Sequence, residues 1–519
     1  MDIALLTTDS EAWSFGLRSI SATLRNAGHH TRLIFMGTNE PRFSRHHLDE
    51  IASLTRHIDL VGVSCLAQGS EKAKQVIEFL HLQKKLIVWG GIHASLNPAE
   101  CADWAEIVCS GEGEGMMLDL VERLERGSNW SDIENIAYLE NGSLQQNGLR
   151  PPIQNLDELP LPDFSFEDEY HLTKKGFIQV STLPEMRSNG RILFNSSRGC
   201  AFHCTYCCNA KIKNLYSRKD RYIRRMSISK LIEHAQNLQT VFPLGTCFYF
   251  IDEDFAARPV AELVQFANEY PQKIGLPFEC LTHPVRVTHQ KMELLVKAGL
   301  YRMNMGIESG SERTKKEIFD RHVSSEVVKQ AAEIISCYPQ VVPKYFFIIA
   351  NPYEEREDLL DTARLIASLP PHSYIQTYNL VFFPGSDLYE RAIQEGLIKD
   401  KHESGYELDF LGGLHYTRHT WKKKNLYLNG LIYLMEGTTT HFRVGSLPRF
   451  ILDILLHPHH IEFHEKYPFA IKWAVSIQLL LLKFIHLGGR LYRKITGKPT
   501  AMFNSRFFLR KKPVGNIST

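Results

Sequence analysis

Acidic residues stop early in this chain. After Glu465 neither Asp nor Glu occurs, while eleven Lys and Arg follow, from Lys466 to Lys512. The remainder carries 49 basic against 58 acidic residues. An acidic body with a basic tail gives that tail a partner of its own. Long uncharged apolar runs are missing as well. Only ten residues separate Lys472 from Lys483, too few to cross a bilayer, and a mean hydropathy of −0.22 excludes a multi-span membrane protein. There is no overall charge excess: the formal net charge of +2 gives no support to nucleic-acid binding. No basic segment followed by an apolar core opens the chain, and Met1–Leu6 reads as a strand rather than a signal peptide. A reducing, cytoplasmic setting is expected. Six of the ten cysteines (Cys65, Cys101, Cys109, Cys247, Cys280 and Cys337) are scattered, as small buried hydrophobes are. No short repeat is present.

The 519 residues, 44% hydrophobic and 23% charged, have ordinary globular composition. The first 130 or so residues alternate short apolar runs with helical patterns. Strands are expected at Ile3–Leu6, Arg32–Phe35, Leu60–Ser64, Leu86–Trp89 and Glu106–Cys109, and helices at Phe15–Ala27 and Glu71–Gln83. Such βα alternation predicts a doubly wound parallel sheet, with its ligand beyond the C-terminal strand ends. Residues 141–185 break the pattern with Gly142, Gly148, Pro151, Pro152, Pro160 and Pro162, and read as a linker.

A second series begins at Ile192. Strands are expected at Ile192–Ser196, Cys247–Ile251, Pro277–Leu281, Met303–Ile307, Tyr345–Ile349 and Tyr374–Phe383. Helices are expected at Ile228–Leu238, Val260–Tyr270, His289–Ala298, Ser325–Cys337 and Arg356–Leu369. Six strand–helix steps predict an open parallel (βα)6 barrel over 186–400. The fold class is α/β: a doubly wound domain over 1–140, the barrel, and a mostly helical region over 401–519 with a basic amphipathic end.

The other four cysteines lie close together. Residues 200–207 read CAFHCTYC, a C-x-x-x-C-x-x-C spacing after the first barrel strand, with Cys208 as a buried bystander. Thiolates suit soft metals. A zinc site would bring a fourth Cys or His at a second paired spacing. Three thiolates on one loop suit an iron–sulfur cluster with one iron open to a small chelating ligand. His203 is expected to face solvent or a phosphate.

This spacing, Tyr206 before the last cysteine, and the position after the first strand resemble radical S-adenosylmethionine (SAM) enzymes. The resemblance implies that Cys200, Cys204 and Cys207 hold a 4Fe–4S cluster whose open iron chelates SAM, with Tyr206 at the adenine. It implies that an acid among Asp252, Glu253 and Asp254 meets the SAM amino group. The usual Gly-Gly-Glu is absent, and Asp254 as a helix cap is the alternative. It also implies SAM contacts from Gly306, Glu308 and Ser309 in the stretch Gly306–Glu312. Asn351-Pro352 and Pro384-Gly385-Ser386 resemble turns of the same family.

In the first domain, Gly90, Gly91 and His93 follow one strand, and Gly111, Glu112 and Gly113 follow the next. No G-x-G-x-x-G follows the first strand, so a dinucleotide fold fits poorly. Together with the cysteine loop, the two glycine stretches resemble the cobalamin-binding domain that precedes many radical SAM enzymes. The resemblance implies cobalamin contacts from Ser64, Cys65, Gly90, Gly91, His93, Gly111, Glu112 and Gly113. The alternative for His93 is a structural loop residue. The D-x-H-x-x-G motif is missing, so no protein histidine is expected on cobalt.

The tail places Trp473, Ile477, Leu480, Phe484, Leu487 and Leu491 at helical spacing. A cationic amphipathic helix of this kind suits a membrane surface, or packs on the barrel. Residues 466–519 are therefore the expected membrane-associating segment.

The family resemblance implies a cobalamin-dependent enzyme that cleaves SAM and methylates an unactivated carbon of a small-molecule or lipid-like substrate. An electron donor such as ferredoxin or flavodoxin is implied too. Cyclisation, oxidation or rearrangement without methyl transfer, and a cobalamin or Fe–S sensor, are the alternatives.

Overall fold

Short apolar runs that alternate with amphipathic helices build the first sheet of the computed structural model. The structure describes residues 1–9, 12–38, 40–183, 190–216, 222–371, 373–399, 425–436 and 449–477. In chain order the first elements are β1 (Asp2–Thr7), α1 (Phe15–Asn26), β2 (His30–Phe35), α2 (Arg45–Leu54), β3 (Leu60–Ser64), α3 (Ser70–His81) and β4 (Leu86–Gly90). Then follow α4 (Gly91–Leu96), α5 (Pro98–Ala102), β5 (Ile107–Cys109), α6 (Glu114–Glu125), β6 (Ile136–Glu140), β7 (Ser143–Gln146), β8 (Glu169–Thr173) and β9 (Gly176–Gln179). They form one sheet in the order β7-β6-β5-β4-β3-β1-β2-β8-β9. β1 pairs in parallel with both β2 and β3, so the strand order reverses there, which is where doubly wound sheets bind ligands. The core beneath α2 and α3 includes Ile51, Val76, Ile77 and Leu80, against Val61, Val63 and Trp89.

The segment expected to be a linker contains strands. Residues 141–185 supply β7, β8 and β9, and Phe164 is buried. The cause is Arg18 on α1, which is fully buried. Its guanidinium donates to both Glu169 oxygens at 2.8 Å and to the Asp163 carbonyl at 2.6 Å. It lies 4.3 Å from the Phe164 ring centre. Proline and glycine content marked the irregular stretches but gave no sign of this long-range pairing.

The second series is β10 (Arg191–Phe194), β11 (Ser197–Arg198), α7 (Cys208–Leu215), β12 (Arg224–Arg225), α8 (Ile228–Val241), β13 (Cys247–Phe250), α9 (Val260–Lys273), β14 (Phe278–Thr282) and α10 (His289–Ala298). It continues with β15 (Leu300–Glu308), α11 (Ser325–Ser336), β16 (Val342–Ile349), α12 (Arg356–Ser368), β17 (Tyr374–Asn379) and α13 (Asp387–Gln394). Three further helices are α14 (Leu426–Glu436), α15 (Arg449–Leu455) and α16 (Pro458–Lys466). Strands β10, β13, β14, β15, β16 and β17 form a parallel sheet in that order, which is an open barrel with β10 and β17 at its edges.

The chain divides into two compact units, and the division departs from the expected borders. One unit holds 1–183, 197–230 and 381–412; the other holds 184–196, 231–380 and 413–519. The cysteine loop thus belongs with the N-terminal sheet. Among the described residues no helix is long and apolar enough to cross a membrane. In the described part of the tail, Ile471 and Val475 are buried and approach Gly430, while Trp473 and Phe469 are each 70% exposed. Trp473 therefore lies off the packed face. Leu480, Phe484, Leu487 and Leu491 lie outside the described residues.

Arg18→Met leaves the Glu169 carboxylate buried without its guanidinium. A loss of about 3–5 kcal/mol of stability is expected, read as a lower urea midpoint of the first unit.

Candidate functional site

A two-stranded ribbon frames the cysteine loop. β11 pairs antiparallel with β12, which sets Arg198 directly opposite Arg224. Two like charges so placed repel unless an anion intervenes. The second glycine-rich loop, at Gly111–Gly113, supplies it. Glu112 accepts from Arg198 at 3.1 Å and from Arg224 at 2.6 Å through the same oxygen. Glu114 accepts from Arg198 at 2.6 Å and from the Ser19 hydroxyl at 2.7 Å. Burial pushes the Glu114 carboxyl up, but Arg198 outweighs burial and holds it below its ordinary range. Glu112 also accepts from the Ile153 amide at 2.7 Å. Glu112 and Glu114 thus clamp the cysteine loop. The reason is charge: both carboxylates face guanidinium groups that would otherwise be unpaired.

Gly199 lies at the entrance of the loop with φ +90°, and a Cβ there would meet the Tyr222 carbonyl oxygen at 2.3 Å. Only glycine lets the two strands of the ribbon approach so closely. Beyond it, Cys200 and Cys207 are half-buried and Cys204 is buried. The Cys207 amide donates to the Cys204 carbonyl at 3.0 Å, which tightens the loop. Cys207 precedes α7, whose N-terminal dipole favours a thiolate. Cys208 is the first helical residue and is half-buried. Tyr206 is half-buried and His203 exposed. The Leu388 amide of α13 donates to the Thr205 carbonyl at 2.9 Å, and Lys211 of α7 meets Asp387 and Glu390 at 2.9 Å each. The loop is therefore held on both sides. Cys200, Cys204 and Cys207 lie within eight residues of chain and are the ligand type an iron–sulfur cluster takes, while among the described residues no three His, Cys, Asp or Glu side chains are gathered as a metal site.

The strand ends of the first sheet come next. The Asp9 carboxylate accepts from the Leu66 amide at 3.0 Å, tying the β3 loop to the end of β1. Ser95 bridges the two glycine loops: its hydroxyl donates to the Gly91 carbonyl at 2.8 Å and accepts from the Gly111 amide at 2.9 Å. Ser64, Gly90, Gly91 and Gly111 are half-buried, and Gly113 leads into α6. Leu66 is 38% exposed. Small residues with one open apolar side chain suit a bulky ligand such as cobalamin. Cys65 and His93, expected at the same ligand, are buried. Each is 1% exposed. Burial pushes the Cys65 thiol up, and its side chain belongs to the core. The His93 ring lies 5.8 Å from Trp89, with Nε2 3.8 Å from Glu100. It is a core residue, because α4 begins at Gly91 and turns position 93 inward.

In the second unit, alternate barrel residues differ in burial. Met303, Met305, Ile307, Tyr345, Phe347 and Ile349 face the helices and are at most 1% exposed. Leu193, Tyr249, Leu281, Phe346, Ile348, Gln376 and Tyr378 alternate with that face and stay half-buried. The inner face thus lines an open lumen. Of the three acids after β13, Asp252 is buried and accepts from the Ser196 amide at 3.0 Å and its hydroxyl at 2.9 Å. Asp254 sits at the N-cap of the short turn Phe255–Ala257 without a side-chain cap bond; its carboxylate accepts from Thr282 at 3.1 Å and Arg286 at 3.2 Å. Burial pushes its carboxyl up, with Arg286 opposing. Glu253 is exposed.

At the β15 end, Glu308 has φ +73°, and Ala350 after β16 has φ +56°. Such conformations are costly outside glycine and concentrate at functional sites. The Asn429 side chain of α14 accepts from the Ala350 amide at 2.8 Å. A Cβ on Gly306 would meet the Glu308 carboxylate at 2.3 Å, so the acid folds back over the strand. Ser309, expected among the SAM contacts, follows the end of the same strand. It is fully buried, and its hydroxyl bonds Glu354 at 3.0 Å and Thr362 at 3.2 Å, fastening α12.

Sequence reasoning missed Asp9, Ser95, Arg198, Arg224, Glu354 and Asn429. Arg198 and Arg224 had one signal, their positions flanking the cysteine loop; the partners of all six are remote in sequence.

Comparison with known proteins finds a Radical SAM superfamily model matching residues 194–366 and a B12 binding domain model matching residues 1–121. The chain is 24% identical over 351 residues to an uncharacterized methyltransferase of Pyrococcus horikoshii, covering 66% of this chain and 70% of that one. It is 23% identical over 463 residues to the anaerobic magnesium-protoporphyrin IX monomethyl ester cyclase of Rubrivivax gelatinosus, covering 81% and 79%. Its fold resembles the cobalamin-dependent SAM radical enzyme OxsB, solved with aqua-cobalamin and SAM, at TM-score 0.65 and 14% identity over 98% of this chain and 83% of that one.

Burial pushes the Glu354 carboxyl from its ordinary 4.5 up to about 8, with the Ser309 hydrogen bond opposing. A raised folded pKa contributes stability that is complete below 4.5 and is lost as pH rises through about 8. Glu354→Gln is therefore expected to flatten the fall in the second unit's urea midpoint across that window.

Proposed function

We propose that this chain, which belongs to the radical SAM superfamily and carries a B12-binding domain ahead of its barrel, methylates an unactivated carbon of a small-molecule substrate. One observation carries this reading: the thiol loop lies in the same compact unit as the strand ends of the B12-binding domain, clamped there by Glu112 and Glu114. When bound, the 4Fe–4S cluster and SAM supply hydrogen abstraction from carbon, and cobalamin supplies a methyl carrier.

The chain's own residues do the positioning. Cys200, Cys204 and Cys207 are the thiolates that would hold the cluster. Tyr206 is the residue for the adenine side of SAM. Glu253, the exposed acid after β13, and Glu308, over Gly306, are the carboxylates proposed for the SAM amino group and ribose. Ser64, Gly90, Gly91 and Gly111 would bed cobalamin, with Leu66 as the open apolar contact. Asp252 acts indirectly by fixing Ser196 at the end of β10. The half-open lumen receives the substrate and limits water around it.

A second reading ends in ring closure or oxidation without methyl transfer. The cyclase relative, matched over 79% of its length, favours keeping it.

The test is anaerobic reconstitution with iron, sulfide and hydroxocobalamin, followed by reduction with dithionite in the presence of SAM. The proposal expects 5′-deoxyadenosine from the intact chain and none from Cys200→Ala, Cys204→Ala or Cys207→Ala. Undiminished 5′-deoxyadenosine from any of the three variants contradicts it. With a substrate in hand, a mass gain of one methylene supports methylation, and a loss of hydrogen supports the second reading.

A further inference from the structure

The floor of the barrel lumen has an unusual balance of charge. Arg191 and Arg302 are both engaged by Glu279, which is fully buried. Tyr301 also donates to Glu279 at 3.2 Å. Glu436 of α14 accepts from the Thr377 amide at 2.8 Å, from the Thr377 hydroxyl and from Gln376 at 3.2 Å. Both nearby carboxylates are thus committed. Lys344 of β16 is the third cation, on the same inner face as Phe346 and Ile348. No ion pair or hydrogen bond engages its ammonium among the described residues, and the Phe346 ring centre lies 5.3 Å from it. Asn304 of β15 is its register partner. Asn304 is 3% exposed, and its amide nitrogen has no hydrogen-bond partner. A half-buried ammonium and a buried amide donor are both costly when left unmatched. They sit side by side, on a face whose upper part is Leu281, Ile348 and Tyr378.

We propose that the lumen takes a substrate bearing an anionic oxygen, of a carboxylate or a phosphate, on an otherwise apolar body, and that Lys344 and Asn304 receive that group. The proposal rests on the lumen being the substrate site. Lys344 supplies the charge, and Asn304 supplies a directed N–H. An anion there balances the three cations against the two committed carboxylates. Burial, with Arg302 and Arg191, pushes the Lys344 ammonium down to about 8, as expected for a cation waiting for its counter-ion.

The test is ligand-observed NMR on the full reconstituted chain, with hexanoate, hexylphosphonate and hexanol as probes. One of the two anions should bind at least about tenfold more tightly than hexanol, and which one does so separates carboxylate from phosphate chemistry. Lys344→Met should remove that preference, and Lys344→Arg should keep it. Asn304→Leu, close in volume, should weaken the anion several-fold and leave hexanol unchanged. Equal binding of all three probes overturns the proposal, as does an anion preference that survives in Asn304→Leu and Lys344→Met alike. The measurement reads neither SAM scission nor methyl transfer. Its failure therefore leaves the proposed cleavage standing, and absent cleavage leaves the anion site standing.

Discussion

Two arginines facing each other across a two-stranded ribbon constrain the rest of this molecule. Arg198 and Arg224 cannot share that position unless an acid stands between them, and Glu112 does so with a single oxygen. Glu114 takes the remaining guanidinium edge. These contacts are charge-assisted and partly removed from water, where such pairs are strongest. They fix the cysteine loop to the end of the first sheet rather than to the barrel strand that precedes it.

The second unit is held by a different principle. Its outer barrel face is apolar and closed under helices, while its inner face stays half-open. Polar side chains of the C-terminal helix α14 reach the barrel. Asn429 bonds Ala350, Asn425 donates to the Glu354 carbonyl at 2.9 Å, and Glu436 holds Thr377. The strained backbone at Ala350 is thereby kept in place, and Glu308 at the preceding strand end is strained as well. Both positions lie where this fold presents ligands.

Much of this was legible in the sequence. Hydrophobic runs located every strand of the barrel, because fully apolar outer faces leave a strong local pattern. Leu60–Ser64 and His289–Ala298 match the structure end for end. The cysteine spacing and the Gly-Glu-Gly-Glu stretch pointed to the family before any coordinates. Partner choice was not legible. Glu112, His93 and Ser309 sit at strand ends, and each is also bonded to a remote residue or buried in the core. The strands at 143–146, 169–173 and 176–179 were hidden for a similar reason. They are short and only partly apolar, and their place is set by remote pairing, with Arg18 anchoring the stretch before β8.

The clamp can be tested without knowing the substrate. The iron and sulfide content of Glu112→Gln/Glu114→Gln, after anaerobic reconstitution and at matched folded fraction, reads whether the two carboxylates hold the thiol loop in shape. The account predicts clearly lower iron and a weakened sulfur-to-iron absorption band relative to the unaltered chain. Equal iron and an equal band in the doubly substituted protein would contradict it.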